Sequence, residues 1–258
     1  MALDIERKIV LVTGASSGIG HACAEAFAAR GCRLLLAARR KDRLDELAES
    51  LHERHGVDVL TVALDVRDRR AVETWVDGLA DEWRDVDILV NNAGLALGMA
   101  PLHEGDVQDW EEMIDTNVKG LLYVTRAVVP GMVERGRGHV INIGSIAGHE
   151  VYPGGNVYCA SKHAVTAINR ALAIDALGTG VRVSSVDPGM VETEFSLVRF
   201  HGDAERADGV YDGIDPLTPA DVAEAVLFCA TRPRNANVRE LILMAGTQAS
   251  AVHAYRTT

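Results

Sequence analysis

The chain contains 258 residues, 48% of them hydrophobic, which is enough to bury a full core within one domain. A formal net charge of −11 argues against nucleic acid as a partner, because the chain lacks a basic field that could replace phosphate counterions. We expect a cytoplasmic protein without a signal peptide, membrane span or metal site, since the apolar runs are short and the four cysteines lack zinc-ligand spacing.

Seven apolar runs bounded by turn residues follow one another along the chain. Segments with helical periodicity separate these runs, and this alternation is typical of a parallel α/β sheet. Because the runs are mostly apolar throughout, we expect both faces of every strand to be buried. In chain order the predicted strands are KIVLVT, RLLLAA, DVLTVAL, VDILVN, GHVINIGS, VRVSSVD and ELILMA.

The segments between these strands are long enough to form crossover helices. The predicted helices lie at about 18–30, 41–55, 68–83, 106–134 with a break, 156–177 and 219–230. The sequence therefore predicts a single domain over residues 1–258, with a Rossmann-type, doubly wound parallel sheet of about seven strands and helices on both faces. The weakly patterned segment at about 190–216 is predicted to form a substrate lid, and its alternative interpretation is an uncommitted surface loop.

Small and polar residues stand at the ends of six predicted strands. In a doubly wound sheet the ligand crevice lies at the carboxyl ends of the strands, so these residues would face one site. Their convergence indicates a dinucleotide site. The six strand ends carry Thr13–Gly14, Ala38–Arg39, Asp65–Val66, Asn91–Gly94, Ser145 and Pro188–Gly189.

The glycine motif TGASSGIG opens at Thr13, between the first strand and the first helix. Gly14 permits a tight turn, while Gly18 and Gly20 let the backbone and helix approach a pyrophosphate. The helix N-terminus adds N–H groups and the positive end of a dipole. The spacing GxxxGxG differs from the commonest fingerprint, and a turn without a ligand would explain one or two of the glycines. Cofactor contacts are predicted at Gly14, Ser16, Ser17, Gly18, Ile19 and Gly20.

The second strand ends in AARR, which bears on the choice of cofactor. An acidic residue at this point binds the ribose 2′-hydroxyl of NAD, whereas Ala38 followed by Arg39 and Arg40 suits the 2′-phosphate of NADP. We therefore predict NADP, and the alternative is that these arginines only begin a solvated helix. Asp65 is a candidate contact to the adenine. Further cofactor contacts are predicted at Val66, Asn91, Ala93 and Gly94.

The stretch YCASK places Tyr158 and Lys162 four residues apart on the predicted helix at 156–177, so the two side chains would share one face. A cation beside a phenol favours the phenolate, and we expect the pKa of Tyr158 to fall from about 10 towards neutrality. Ser145 precedes the tyrosine by thirteen positions. For an isolated YxxxK, the alternative is an exposed lysine beside a half-buried tyrosine.

Six motifs match, in order and spacing, those of the short-chain dehydrogenase/reductase family: TGASSGIG, NNAG, Asn117 in DTNVKG, Ser145, YCASK and DPGMVET. This resemblance covers essentially the whole chain and implies hydride transfer between a nicotinamide and a carbonyl or alcohol, without metal. It implies that Tyr158 is the general acid and base, and that Ser145 hydrogen-bonds the reacting oxygen.

The same resemblance implies roles for further residues around the nicotinamide. Lys162 would lower the tyrosine pKa and hold the nicotinamide ribose. Asn117 would anchor a water in a proton relay, and its alternative role is to cap a helix. The nicotinamide pocket would be shaped by Pro188, Gly189, Val191 and Thr193.

Three longer stretches, residues 87–121, 126–148 and 193–203, resemble the bacterial NADP-dependent 3-hydroxy acid dehydrogenases and the sulfoacetaldehyde reductases. Both groups act on small anionic substrates, so a cation is needed near the tyrosine. Arg199 is the candidate residue that binds the substrate anion, and Tyr152 is expected to contribute to this binding. The alternative is that Arg199 is a solvated residue of a helix.

Several positions leave the exact substrate open. Gln248 is a weaker candidate for the pocket, and Glu150 stands where this group usually carries an aromatic residue. A short anionic 3-hydroxy acid or its semialdehyde is the leading substrate, and sulfoacetaldehyde is the alternative. A non-catalytic NADP-binding regulatory protein is the remote alternative, because the serine, tyrosine and lysine are all intact.

The helices predicted near 117–134 and 156–177 carry apolar residues on more than one face, Leu122 among them. A helix that is apolar all round must be covered on both sides. The family resemblance implies a homotetramer with these helices at its main interface, and a thick monomeric core is the alternative.

Overall fold

A computed structural model describes residues 3–257, and these residues form one parallel sheet of seven strands. Across the sheet the order is β3-β2-β1-β4-β5-β6-β7. The direction of the order reverses between β1 and β4, which is the switch point where open α/β sheets bind ligands. The predicted fold class is confirmed. The strands are β1 (Ile9–Thr13), β2 (Arg33–Ala38), β3 (Val59–Ala63), β4 (Ile88–Asn91), β5 (Gly138–Ile143), β6 (Val181–Pro188) and β7 (Glu240–Leu243).

Helices cover both faces of the sheet because side chains of the central strands alternate between two apolar layers. Val10 and Val12 of β1 pack in one layer with Phe27, and Leu11 packs in the other layer with Met132. Burial on both sides explains why the central strands are apolar throughout. The helices are α1 (Gly18–Ala28), α2 (Lys41–His55), α3 (Arg69–Asp77), α4 (Asp81–Arg84), α5 (Val107–Ile114), α6 (Leu121–Glu134), α7 (Asn156–Asp175), α8 (Phe195–Arg199), α9 (Ala204–Gly209) and α10 (Pro219–Ala230).

The edge strands differ from the prediction that every strand is buried on both faces. Leu60 of β3 is 37% exposed and Ile242 of β7 is 50% exposed. Each edge strand pairs on one side only, so the flanking helices cover it less completely.

The prediction of a single helix at 68–83 is wrong, because the chain forms α3 and α4 with a turn between them. The N–H of Gly78 ends α3 by donating to the carbonyl of Thr74, and Ala80 is extended. This turn lets Leu79 reach the core. By contrast, the break predicted within 106–134 is confirmed as a π-helical turn, Asp115–Gly120, between α5 and α6.

The segment at about 190–216 is more ordered than an uncommitted loop. It contains α8 and α9 and lies beside the carboxyl ends of the strands, where α8 helps to line the main cleft. None of the helices within residues 3–257 is long and apolar enough to cross a bilayer.

Candidate active site

One cleft lies at the carboxyl ends of the strands and contains most of the residues predicted from the sequence. It passes from the start of α1, across the ends of β2 and β3, to the start of α7. The predicted residues that line it are Gly14, Ser16, Ser17, Gly18, Ile19, Arg39, Arg40, Asp65, Val66, Ala93, Gly94, Ser145, Tyr158, Lys162, Pro188, Gly189, Val191 and Thr193.

The glycine motif leaves no space for side chains between α1 and the strand ends. Gly14 has a φ of +65°, and a Cβ there would lie 2.9 Å from the Cα of Ala93. A Cβ on Gly20 would collide with the carbonyl oxygen of Gly14. Gly20 therefore permits the close packing that shapes the cleft, although it does not line the cleft itself.

The N-terminus of α1 fits the pyrophosphate of a dinucleotide. Ser17 is its N-cap, yet the serine side chain does not bond the first-turn N–H groups. Those groups and the positive end of the helix dipole remain available to an anion. The Ser17 hydroxyl instead accepts a hydrogen bond of 2.6 Å from Nη2 of Arg40.

At the ribose end of the cleft, Arg40 contacts the glycine motif, whereas Arg39 lies near Glu112. Arg40 Nε donates to the Ser16 hydroxyl at 3.2 Å, and Arg40 Nη1 lies 2.9 Å from Oε2 of Glu194. Arg43 Nη1 lies 2.8 Å from Oε1 of the same glutamate. Arg39 Nη1 lies 3.6 Å from Oε1 of Glu112. The sequence analysis did not identify Glu194, nor Arg43, which stands three residues after Arg40.

The adenine end carries an ion pair that the sequence interpretation missed. Arg67 donates from Nε and Nη2 to the Asp65 carboxylate, at 2.6–3.0 Å. Partial burial raises the pKa of Asp65, but the hydrogen bonds and charge of Arg67 outweigh it, and the net pKa is below its usual value. Asp65 is therefore an anionic acceptor at the rim of the cleft.

Asn91 does not line the cleft, although it was predicted as a cofactor contact. Its Nδ2 donates to Thr125 and Asn142 in a buried polar cluster between β4, β5 and α6. The neighbouring Asn92 lines the cleft instead, and its Nδ2 donates to the carbonyls of Thr13 and Gly14. Asn91 is the last residue of β4 and its side chain lies within this cluster, whereas Asn92 begins the loop beyond the strand end that lines the cleft.

Three of the four predicted catalytic side chains, Ser145, Tyr158 and Lys162, lie together at the nicotinamide end of the cleft and are buried. Helix α7 presents Tyr158 and Lys162 on one face, and the lysine Nζ is 6.0 Å from the centre of the tyrosine ring. The same Nζ donates to the carbonyl of Ile143 at 2.9 Å, which fixes it below the cleft.

Burial has the largest effect on the pKa values of these side chains. The pKa of Tyr158 is raised, whereas the sequence analysis expects it to fall. Removal from water raises the pKa of Tyr158 above its ordinary value, and the Ser145 hydroxyl and the Arg199 guanidinium only partly oppose this rise. The phenol is therefore protonated at neutral pH. Burial likewise lowers the pKa of Lys162 to about 8, against a smaller opposing effect of Asp187.

Asn117 lies in the π-helical turn and is 2% exposed. Its Oδ1 accepts from the N–H of Leu95, and its Nδ2 donates to the carbonyl of Leu95 and to the hydroxyl of Ser161. Ser161 in turn donates to the carbonyl of Tyr158. Asn117 thus joins the strand-end loop to α7 and does not cap a helix.

Arg199, the last residue of α8, is 9% exposed and lies between two tyrosines. Its Nη1 donates to the Tyr152 hydroxyl at 2.9 Å and its Nε to the carbonyl of Gly98 at 3.2 Å. The guanidinium carbon is 5.8 Å from the centre of the Tyr158 ring. Nη2 is buried and has no hydrogen-bond partner among residues 3–257.

Gln248 and Glu150 both hold the C-terminal segment against the site. The Gln248 side chain accepts from the N–H of Met190 at 2.8 Å and donates to the carbonyl of Ser250. Glu150 accepts from the N–H of Ala251 at 2.8 Å. Both side chains therefore support the loops around the cleft through backbone groups.

Residues 3–257 contain no cluster of three or more histidine, cysteine or acidic side chains that could hold a metal ion. The groups able to act on a substrate are thus a protonated phenol, a serine hydroxyl, a buried ammonium and a buried guanidinium. Such a set can polarise and protonate a carbonyl oxygen beside a bound dinucleotide.

Residues 8–202 match the family model of the short chain dehydrogenases, and the chain belongs to this family. The NADP-dependent 3-hydroxy acid dehydrogenase of Salmonella typhi is 51% identical over 94% of this chain and 97% of its own length. Sulfoacetaldehyde reductase 2 of Chromohalobacter salexigens is 50% identical over 93% of this chain and 95% of its own length. The closed form of a serine dehydrogenase complexed with NADP+ superposes with a TM-score of 0.90 at 48% identity, covering 97% of this chain and all of that one.

Proposed function

We propose that the protein transfers hydride between NADP(H) and a short anionic 3-hydroxy acid or its semialdehyde. Its family and its relatives, about half identical over nearly the whole chain, make it an NADP-dependent oxidoreductase that acts on hydroxyl groups. The finer assignment of the substrate rests on Arg199, the buried cation beside Tyr158.

The unpartnered Nη2 of Arg199 is the observation that carries the proposal. A buried donor without a partner is costly, typically by about 1–3 kcal/mol and by more for a charged group. A substrate carboxylate or sulfonate would remove this cost by accepting from Nη2. Because Nη1 and Nε are held by Tyr152 and Gly98, the guanidinium is already oriented before an anion binds.

The chemical step needs a proton for the oxygen that develops negative charge. The nicotinamide of NADPH, when bound, supplies the hydride. Ser145 hydrogen-bonds the substrate oxygen and Tyr158 gives it a proton, while Lys162 stabilises the phenolate that remains. Burial keeps Tyr158 protonated at neutral pH, which is the form that can donate this proton. Asn117 fixes the loop at Leu95 against α7, the helix that carries Tyr158 and Lys162, through its hydrogen bonds to Leu95 and Ser161.

The cofactor is NADP, and the proposed contacts follow the cleft from end to end. Arg40 and Arg43 would bind the 2′-phosphate, the start of α1 the pyrophosphate, and Lys162 the nicotinamide ribose. Thr193 and the Pro188–Gly189 turn line the nicotinamide end.

Reduction of sulfoacetaldehyde is the second candidate, and the similarity to sulfoacetaldehyde reductase 2 favours it. Both candidate substrates carry an anion that Arg199 could bind. The test is steady-state NADPH oxidation with malonic semialdehyde and sulfoacetaldehyde side by side, together with NADP reduction by L-serine and L-allo-threonine. A hundredfold preference for sulfoacetaldehyde would support the second candidate, a sulfoacetaldehyde reductase. Absence of turnover with all four substrates would refute the proposal.

We also propose that residues 190–216 form a substrate lid.

We propose further that the protein is a homotetramer. Leu122 of α6 and Ile174 of α7 are exposed, the latter by 69%, although both stand on helices that pack on the sheet. Such apolar positions suit contact with a second subunit. The molecular mass in solution tests the tetramer, and a monomer at all concentrations would refute it.

A further inference from the structure

Glu194 links two arginines at the ribose end of the cleft to the helix that carries Arg199. Its carboxylate lies between Arg40 and Arg43, at 2.9 and 2.8 Å, where the 2′-phosphate of NADP is proposed to bind. These hydrogen bonds hold the pKa of Glu194 below its usual range, so it is an anion at neutral pH. A carboxylate held by two arginines occupies the kind of place that suits a phosphate.

The same glutamate is the N-cap of α8, and Arg199 is the last residue of that helix. The five residues of α8 span only about 7 Å. Phe195, next to Glu194, packs edge-on against the Tyr158 ring with centroids 5.6 Å apart. The pairs with Arg40 and Arg43 therefore hold one end of this short helix, whose other end carries Arg199, the proposed anion anchor.

We propose that Glu194 is a positioning and specificity-determining residue that shares Arg40 and Arg43 with the cofactor 2′-phosphate and thereby holds α8 over the substrate. The sharing of Arg40 and Arg43 affects the binding of the nucleotide and the binding of the substrate in opposite directions. The carboxylate repels the nearby phosphate, so it weakens the binding of the phosphorylated nucleotide. It also fixes α8, so it strengthens the binding of an anionic substrate to Arg199.

Arg40 can serve both anions because its donors point in several directions. Nε and Nη2 are held by the hydroxyls of Ser16 and Ser17, while Nη1 reaches Glu194. The serines keep the guanidinium in place independently of the glutamate. Removing the glutamate charge should therefore leave a positive site of similar shape for the phosphate.

The test compares Glu194→Gln with wild type by equilibrium binding of 2′,5′-ADP and 5′-AMP, which differ in the 2′-phosphate. We expect the Kd of 2′,5′-ADP to fall by up to about fivefold, the upper end of the range of exposed charge pairs, and that of 5′-AMP to stay unchanged. Glu192→Gln is the matched control, because Glu192 is two residues away, is exposed and makes no ion pair within residues 3–257. It should leave both constants unchanged.

The second readout is the KM of the anionic aldehyde with saturating NADPH, which should rise several-fold in Glu194→Gln with a smaller change in kcat. Arg43→Gln removes the other side of the pair, so it should raise the same KM but weaken 2′,5′-ADP instead of tightening it. Weaker or unchanged 2′,5′-ADP binding in Glu194→Gln, an equal shift for 5′-AMP, or an unchanged KM would overturn the proposal. The substrate arm rests on the proposed function, whereas the nucleotide arm does not depend on the substrate, so the two can fail separately.

Discussion

Replacing Arg199 by methionine removes the proposed anion anchor while keeping an unbranched apolar side chain in its place. Charged hydrogen bonds contribute about 1.5–3 kcal/mol, which corresponds to a loss of roughly 10- to 150-fold in kcat/KM for an anionic aldehyde. A neutral aldehyde of the same chain length makes no such bond, so its kcat/KM should change less than threefold.

The assay is NADPH oxidation at 340 nm with malonic semialdehyde and with propanal, for wild type and Arg199→Met. Arg206→Met is the matched control, since Arg206 lies in the same segment but is exposed, with its guanidinium carbon 4.4 Å from the centre of the Phe200 ring. It should leave both substrates unaffected. Equal losses for the charged and neutral aldehydes in Arg199→Met would refute the anchor, because they would show only a general disturbance of α8.

Three further predictions concern the catalytic group and the cofactor site. Tyr158→Phe should abolish turnover and leave NADPH binding, measured by fluorescence, within about twofold, and substantial residual activity would remove Tyr158 as the proton donor. Arg40→Ala should raise the KM for NADPH far more than that for NADH and more than Arg39→Ala does, because Arg40 contacts the glycine motif; equal effects on both cofactors would contradict the 2′-phosphate contact. Burial lowers the pKa of Lys162 to about 8 from an ordinary 10.5, so the folded state disfavours the charged lysine and this cost disappears as pH rises from about 8 to 10.5. The free energy of unfolding of wild type relative to Lys162→Met should therefore rise over that window by up to about 3 kcal/mol, and a difference that does not change between pH 7.5 and 10 in urea unfolding would contradict it.

The strands and the glycine motif could be predicted from the sequence because they depend on local patterns. Apolar runs such as RLLLAA coincide with β2, and Gly14 indeed has the positive φ that favours glycine. The turn at Gly78–Ala80 was missed, because the amphipathic pattern continues across it. Its cause is the burial of Leu79, which depends on the rest of the fold.

The electrostatics of the site could not be predicted, since they depend on contacts between distant parts of the chain. Glu194 and Arg40 are 154 positions apart, and nothing local indicates their pairing. The spacing of Tyr158 and Lys162 correctly predicts that they share a face, but it does not contain the burial that raises the tyrosine pKa. Sequence therefore located the reactive groups better than it predicted their charge states.

On the proposed function, the protein prefers short anionic aldehydes and uses NADPH to reduce them. The most direct measurement is kcat/KM of the wild-type protein for malonic semialdehyde and for propanal, each with NADPH and with NADH. We predict that malonic semialdehyde is preferred at least tenfold and that NADPH is preferred over NADH. Comparable rates with propanal would contradict the substrate assignment, and comparable rates with NADH would contradict the cofactor assignment.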